Sequence, residues 1–320
     1  MVKTVSLVLG SGGARGHAHI GVIEELLSRN YKIIAIAGCS MGALVGGIYA
    51  AGKLRQYEEW ATSRSYIDIL RLVDLSFDTF GMIRGDKVFA IIQDLVGPHL
   101  IQELPISYTA VATDLTNQKE VWFQEGDLFE AMRASIAIPS LFAPVIKGDR
   151  ILVDGGLLNP VPIVPTVSAH ADIIVAVNLS APPVTRGGEE FEPLYTDKHG
   201  FMDDWDAGIA LGGTGPSDNL NKAKSKPRPL KVKSERLRKR SNKIGRLEMI
   251  YQSVEVMQSS LTQYKIAGYP PDVLIEIPKS SCRFYEFYRA KEMIDIGREA
   301  AKHVMDHYEH GLRLAGEGES

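Results

Sequence analysis

Twice within its first 51 residues the chain runs through a short apolar stretch, breaks on glycine and restarts with helical spacing. Val5–Leu9 gives way to Gly10-Ser11-Gly12-Gly13-Ala14-Arg15-Gly16. The stretch Gly16–Arg29 then carries Ile20, Ile23 and Leu27 beside Glu24, Glu25 and Arg29. Ile33–Ala37 gives way to Gly38-Cys39-Ser40-Met41-Gly42, followed by small residues to Ala51. A short apolar run without alternation reads as a strand buried on both faces. Strand, helix, strand, helix in close succession is satisfied by parallel strands with right-handed helical crossovers. The expected fold is α/β, with three α/β/α layers around a mostly parallel central sheet.

The remainder of the chain extends this pattern. With 320 residues, 45% apolar and 23% charged, the chain can bury a large core. Residues 53–103 read as mostly helical, and Trp60, Tyr66, Phe77, Phe80 and Met82 within them as ordinary core rather than a cover over a site. Strands are expected at Ser107–Asp114 and Glu120–Phe123, joined by the polar turn Leu115–Lys119, then at Arg150–Val153 and Ile173–Leu179. A short helix is expected over Leu128–Ser135, and a further helix, strand and helix at Leu247–Tyr264, Val273–Ile277 and Phe284–Tyr308. The organisation is a core at 1–180, a flexible insertion at 181–243, a segment at 244–314 completing the same domain, and a disordered tail at 315–320.

Charge and cysteine content exclude several classes. The formal net charge of −3 favours no particular partner. Cys39 and Cys282 are far apart and form no metal-binding pair, so neither a disulfide framework nor zinc is expected, and a reducing compartment is. The N-terminus reads as a first strand rather than a secretion signal, and the apolar stretch from Ile33 to Gly52 is interrupted by glycines and Ser40. The expected location is cytoplasmic, with or without peripheral membrane contact. The insertion contains KAKSKPRPLKVKSERLRKRSNK at 222–243, which fits either a solvated linker or a contact with anionic head groups. It lacks interleaved aromatics, so no nucleic-acid partner is expected. Asp203, Asp204 and Asp206 lack the spacing of a calcium loop, and no metal or cofactor is expected.

Three motifs carry chemistry. Gly38-Cys39-Ser40-Met41-Gly42 is a G-x-S-x-G between a strand and a helix. Such an elbow strains its serine, lifts Oγ above the sheet and places it at a helix N-terminus, where developing negative charge is favoured. The competing reading is a tight turn with an incidental serine. The glycine loop at 10–16 lacks the Gly-Lys-Ser/Thr ending of a phosphate loop and fails G-x-G-x-x-G at Arg15, which leaves nucleotide binding a weaker alternative. Convergent backbone N–H groups forming an oxyanion hole are the better reading. Asp154-Gly155-Gly156 ends a strand and puts a carboxylate at the edge that holds the elbow, although a lone D-G-G is more often a plain turn.

A nucleophilic Ser40 needs a proton acceptor. His99, His170, His199, His303, His307 and His310 follow it, but none stands in a loop resembling that of a triad histidine, and His17 and His19 read as structural. A serine served directly by an aspartate fits better. Partial desolvation would lift that aspartate above its ordinary pKa of about 3.9 toward a useful base.

Together and in this order the motifs resemble the patatin-like phospholipase family. LVLGSGGARGHAHIGVIEEL, AGCSMGALVGGIYAAG, ASIAIPSLFAPV and VDGGLLNPVPI all read as family segments, and the likeness covers roughly residues 4–180. The resemblance implies a Ser–Asp dyad, with Ser40 as nucleophile and Asp154 as general base and later acid. It implies oxyanion donors at Gly12, Gly13, Ala14 and Met41, with Arg15 bracing the loop and Gly16, Gly38, Gly42, Gly155 and Gly156 supporting the motifs. Ser11 stands where many members carry glycine. The implied activity is hydrolysis of acyl lipids or simpler esters; a member kept for binding or regulation is the other alternative.

Overall fold

The computed structural model describes residues 2–72, 85–139, 141–182, 185–186, 189–190 and 246–317. Phe77, Phe80, Met82, the three aspartates and the basic stretch 222–243 lie outside these residues. By compactness, Met1–Pro193 and Met257–Ser320 form one unit and Leu194–Val256 a second. The description below concerns the first unit and the one helix that begins in the second.

The expected strands form. They are β1 (Thr4–Leu9), β2 (Lys32–Cys39), β3 (Ser107–Asp114), β4 (Lys119–Phe123), β5 (Val145–Lys147), β6 (Arg150–Asp154), β7 (Ile173–Ala181), the two-residue pair β8 (Thr185–Arg186) and β9 (Glu189–Glu190), and β10 (Val273–Pro278). β5 was not foreseen, because three residues carry no periodicity. The helices are α1 (Ala18–Ser28), α2 (Met41–Ala50), α3 (Leu54–Thr62), α4 (Tyr66–Leu72), α5 (Asp86–Val96), α6 (Leu128–Ser135), α7 (Arg246–Gly268) and α8 (Ala290–Glu317). α8 enters the stretch 315–320 expected to be disordered. Ala315 and Glu317 are good helix formers, and Gly316 alone does not stop the helix.

The main sheet has eight strands. β10, β7, β1, β2 and β3 run parallel in that order, and β4, β5 and β6 join antiparallel. Side-chain alternation divides the core. On one face Val5, Leu7, Leu9, Val175, Val177 and Ile275 join α1, α2, α6 and α8 in the large cluster. On the other, Val8, Ala176, Ile174 and Leu274 meet Val161, Ile163 and Ile266 in a smaller one. The second face is thus covered by the segment after β6 and the end of α7. The result is a mixed α/β fold whose mostly parallel sheet is flanked by helices, as expected.

Register on β3 decides where the chemistry can sit. Its residues 110–111 pair with both β2 and β4, and 112–114 with both β4 and β6. A strand has two edges, so β2 and β6 share one edge of β3 and meet end to end. β2 stops with Cys39 opposite Val111, and β6 stops with Asp154 opposite Ala112. Neighbouring positions on a strand are about 3.3 Å apart. Residues distant in sequence are therefore brought to adjacent stations.

α2 lies directly on β1 at this level. A Cβ at Gly42 would run into the Leu9 carbonyl, and one at Gly38 into the Gly42 backbone. Overpacking against fixed backbone costs about 3 kcal/mol or more. Gly42→Ala is therefore expected to lower the thermal midpoint by about 6–12 °C, at about 2–4 °C per kcal/mol. An unchanged midpoint in differential scanning calorimetry would contradict this packing.

Candidate active site

The site grows from the meeting of β2 and β6. Ser40 follows β2 directly and adopts φ 55°, ψ −125° before α2 begins at Met41. A non-glycine residue in such a region stores about 1–3 kcal/mol and persists only where its surroundings over-determine it. Asp154 closes β6 and is 3% exposed. Its Oδ1 accepts from Gly156 N at 2.7 Å, and Cys39 Sγ lies 3.9 Å away.

Ser40 and Asp154 are therefore neighbours, but not yet a tight pair. The Ser40 hydroxyl is near enough to hold the carboxyl pKa down, yet no bond of ordinary length and angle joins the two, and Asp154 Oδ2 is buried without a partner among the described residues. Burial dominates the carboxyl and pushes it up to about 6, against the opposing pull of the Ser40, Gly156 and Cys39 groups. Burial also keeps the Cys39 thiol protonated.

Of the four expected donors, Gly13 in the glycine loop and Met41 at the start of α2 lie on the cavity wall. Gly12 O accepts from Arg15 N at 3.2 Å and Arg15 Nε at 3.3 Å. In a planar trans peptide the Gly13 N–H then points the opposite way. Gly13 has φ 56°, a conformation a side chain would strain, and lines the same cavity as Ser40 and Met41. Met41 opens α2, so its N–H lacks an intrahelical acceptor. Ala14 is a correction: its N–H donates to Phe284 O at 2.8 Å and is not free for substrate. Among the described residues Gly12 N–H has no backbone partner, but Gly12 is not on the cavity wall. Arg15 is buried, with Nη1 on Lys279 O at 2.9 Å, and ties the loop to the segment after β10. Gly16 packs against Met41, and Gly155 against the Val111 carbonyl.

No histidine sits between Ser40 and Asp154 among the described residues. His17 lies on the cavity wall, but both ring nitrogens are committed. Ala14 O can only accept, so Nδ1 donates to it at 3.0 Å and Nε2 faces the Tyr57 hydroxyl at 3.3 Å. Burial pushes His17 down to about 4, so it is neutral near pH 7. His19 is similarly buried and lowered to about 4, with Nε2 on Gly10 O at 2.8 Å.

In front of Ser40 lies a cavity of about 870 Å³, its open mouth included. Its wall is largely apolar, with Leu44, Trp60, Ile92, Ile138, Phe142 and Phe287 among the lining residues. Trp60 and its neighbours on α3 and α5 therefore face the candidate site, where the sequence reading had placed them in ordinary core. Hydrophobic spacing cannot distinguish a core from a cavity wall. Ser135 was also missed. It lies at the end of α6 with its Oγ 2.9 Å from Ser40 N, and its type and position gave no signal. No group of three or more potential metal ligands occurs among the described residues, and no helix there is long and apolar enough to cross a membrane.

Known proteins resemble this chain. The patatin-like phospholipase profile matches residues 7–167, which contain the loop, the elbow and Asp154. An uncharacterized NTE family protein of Mycobacterium tuberculosis is 40% identical over 338 residues, taking in 95% of this chain and 92% of that one. Patatin-like phospholipase domain-containing protein 6 of Mus musculus is 30% identical over 186 residues, 56% of this chain and 14% of its own. Among solved structures, VipD from Legionella pneumophila gives a TM-score of 0.52 at 13% identity, covering 96% of this chain and 67% of that one, a likeness of fold. By its profile match and by relatives aligned along nearly their whole length, the chain belongs to the patatin-like phospholipase family.

Proposed function

We propose that the protein is a serine lipid acyl hydrolase that cleaves carboxylic esters through Ser40 and Asp154. Family membership supports lipid acyl hydrolysis. The observation that carries the finer reading is a strained serine on the wall of an apolar cavity, directly after Cys39, which lies one strand station from the buried Asp154. Ser40 Oγ attacks the ester carbonyl carbon, and its proton passes to Asp154. The oxygen of the tetrahedral adduct takes up negative charge beside Gly13 N–H and Met41 N–H, at the positive end of α2. Collapse breaks the bond to the alcohol oxygen, which leaves with the proton from Asp154. Water, deprotonated by the same carboxylate, then attacks the acyl-serine; collapse breaks the bond to Ser40 Oγ, which takes the proton back from Asp154, and the fatty acid leaves. The apolar wall would hold the acyl chain at about 0.8 kcal/mol per buried methylene.

The test is covalent and kinetic. A fluorophosphonate probe should label the wild type and not Ser40→Ala, and p-nitrophenyl esters should be hydrolysed by the wild type and about 10³-fold more slowly or less by Asp154→Asn. A wild type that neither labels nor turns over ends this reading.

Asp154 must be ionised to accept a proton, so kcat/KM should rise through pH about 6 to a plateau, the position set by its raised pKa. A limb near pH 4 or above 7 would assign the base elsewhere.

The same shift sets a stability sign. A carboxyl raised from 3.8 to about 6 favours folding fully below 3.8, and the benefit is lost as pH rises through 6. The buried charge therefore costs about 3 kcal/mol at pH 8. Asp154→Asn should raise the thermal midpoint at pH 8 by several degrees and leave it nearly unchanged at pH 4; a gain independent of pH contradicts the assignment.

A further inference from the structure

We infer that Ser135 is a positioning residue for this reaction: its hydroxyl holds the Ser40 backbone in the strained conformation that aims Oγ into the cavity. The inference rests on the function proposed above and adds a residue outside the three motifs. Ser135 is fully buried at the end of α6. Its Oγ lies 2.6 Å from Val111 O and 2.9 Å from Ser40 N. A carbonyl oxygen can only accept, so the hydroxyl donates to Val111 and its lone pair receives the Ser40 N–H. The direction of both bonds is fixed.

The location gives these bonds their meaning. Val111 is the station on β3 where pairing with β2 ends, immediately before Ala112 takes up Asp154. With Ser40 turned out of the strand, its N–H and the Val111 carbonyl would face a break in the sheet. The Ser135 hydroxyl bridges that break. Two residues on, Ala137 O accepts from Asp154 N at 2.9 Å. One short stretch at the exit of α6 thus ties down the backbones of both reacting residues, one through a side chain and one through a carbonyl.

A purely structural serine would matter to folding and not to turnover by folded molecules. Ser135→Ala leaves two buried polar groups unpaired and lets the elbow relax; misplacing a nucleophile by about 1 Å can cost about 100-fold. The experiment measures kcat and KM on p-nitrophenyl butyrate per folded molecule, with the folded fraction taken from circular dichroism. The expected result for Ser135→Ala is a kcat lowered about 10–100-fold with KM within about twofold and the acid limb still near pH 6. Ser135→Thr, which keeps the hydroxyl, should recover most of the loss. Wild-type kcat per folded Ser135→Ala molecule overturns the proposal, as does a rise in KM alone. If Ser135→Ala does not fold, Ser135→Cys carries the test. Its weaker hydrogen bonds must lower kcat, and wild-type kcat there overturns the proposal. An inactive wild type would instead refute the proposed function.

Discussion

One edge of one strand organises this protein. β3 gives its first five residues to β2 and the next three, on the same edge, to β6. Two strands that approach from opposite directions therefore end against each other, β2 at Cys39 just before Ser40 and β6 at Asp154. The spacing of Asp154 and Cys39, the residue before Ser40, is set by the rise of a β-strand rather than by flexible loops. Sites built on the scaffold in this way are held more tightly than sites on loop tips.

The arrangement carries an energetic load at both residues. Ser40 is held at a positive φ, and Asp154 keeps a carboxylate in a place that resists charge. Both costs are borne by the parallel core around them, and each has a use in the proposed mechanism. The strain lifts a hydroxyl away from the sheet, and desolvation raises a weak base toward the pH at which it must work. The proposed oxyanion donors follow the same logic. Arg15 holds the Gly12 carbonyl, so the Gly13 N–H of the same peptide points away from Arg15, in a residue that lines the cavity.

Much of this was legible in the sequence because it is local. The strand–glycine–helix transitions at 10–16 and 38–42, the apolar runs and the helix at 128–135 all rest on neighbours a few residues apart. What was illegible depends on partners far along the chain. The Ala14 N–H looked free until Phe284 was found against it. Ser135 is an ordinary small residue at a helix end until register brings Val111 and Ser40 to it. Trp60 has the same spacing in a core as on a cavity wall. Asp154 was expected beside the elbow on a rule for parallel strands; β6 runs antiparallel to β3, and the one-station offset of Asp154 from Cys39 comes from the pairing of β3.

The most direct measurement is a crystal structure of the protein after reaction with an alkyl fluorophosphonate, a mimic of the tetrahedral adduct. The account predicts phosphorus bonded to Ser40 Oγ, its non-ester oxygen about 3 Å from the Gly13 and Met41 nitrogens, the alkyl chain in the apolar cavity and Asp154 beside the serine oxygen. Phosphorus on another residue, or that oxygen directed away from both amides, would contradict it.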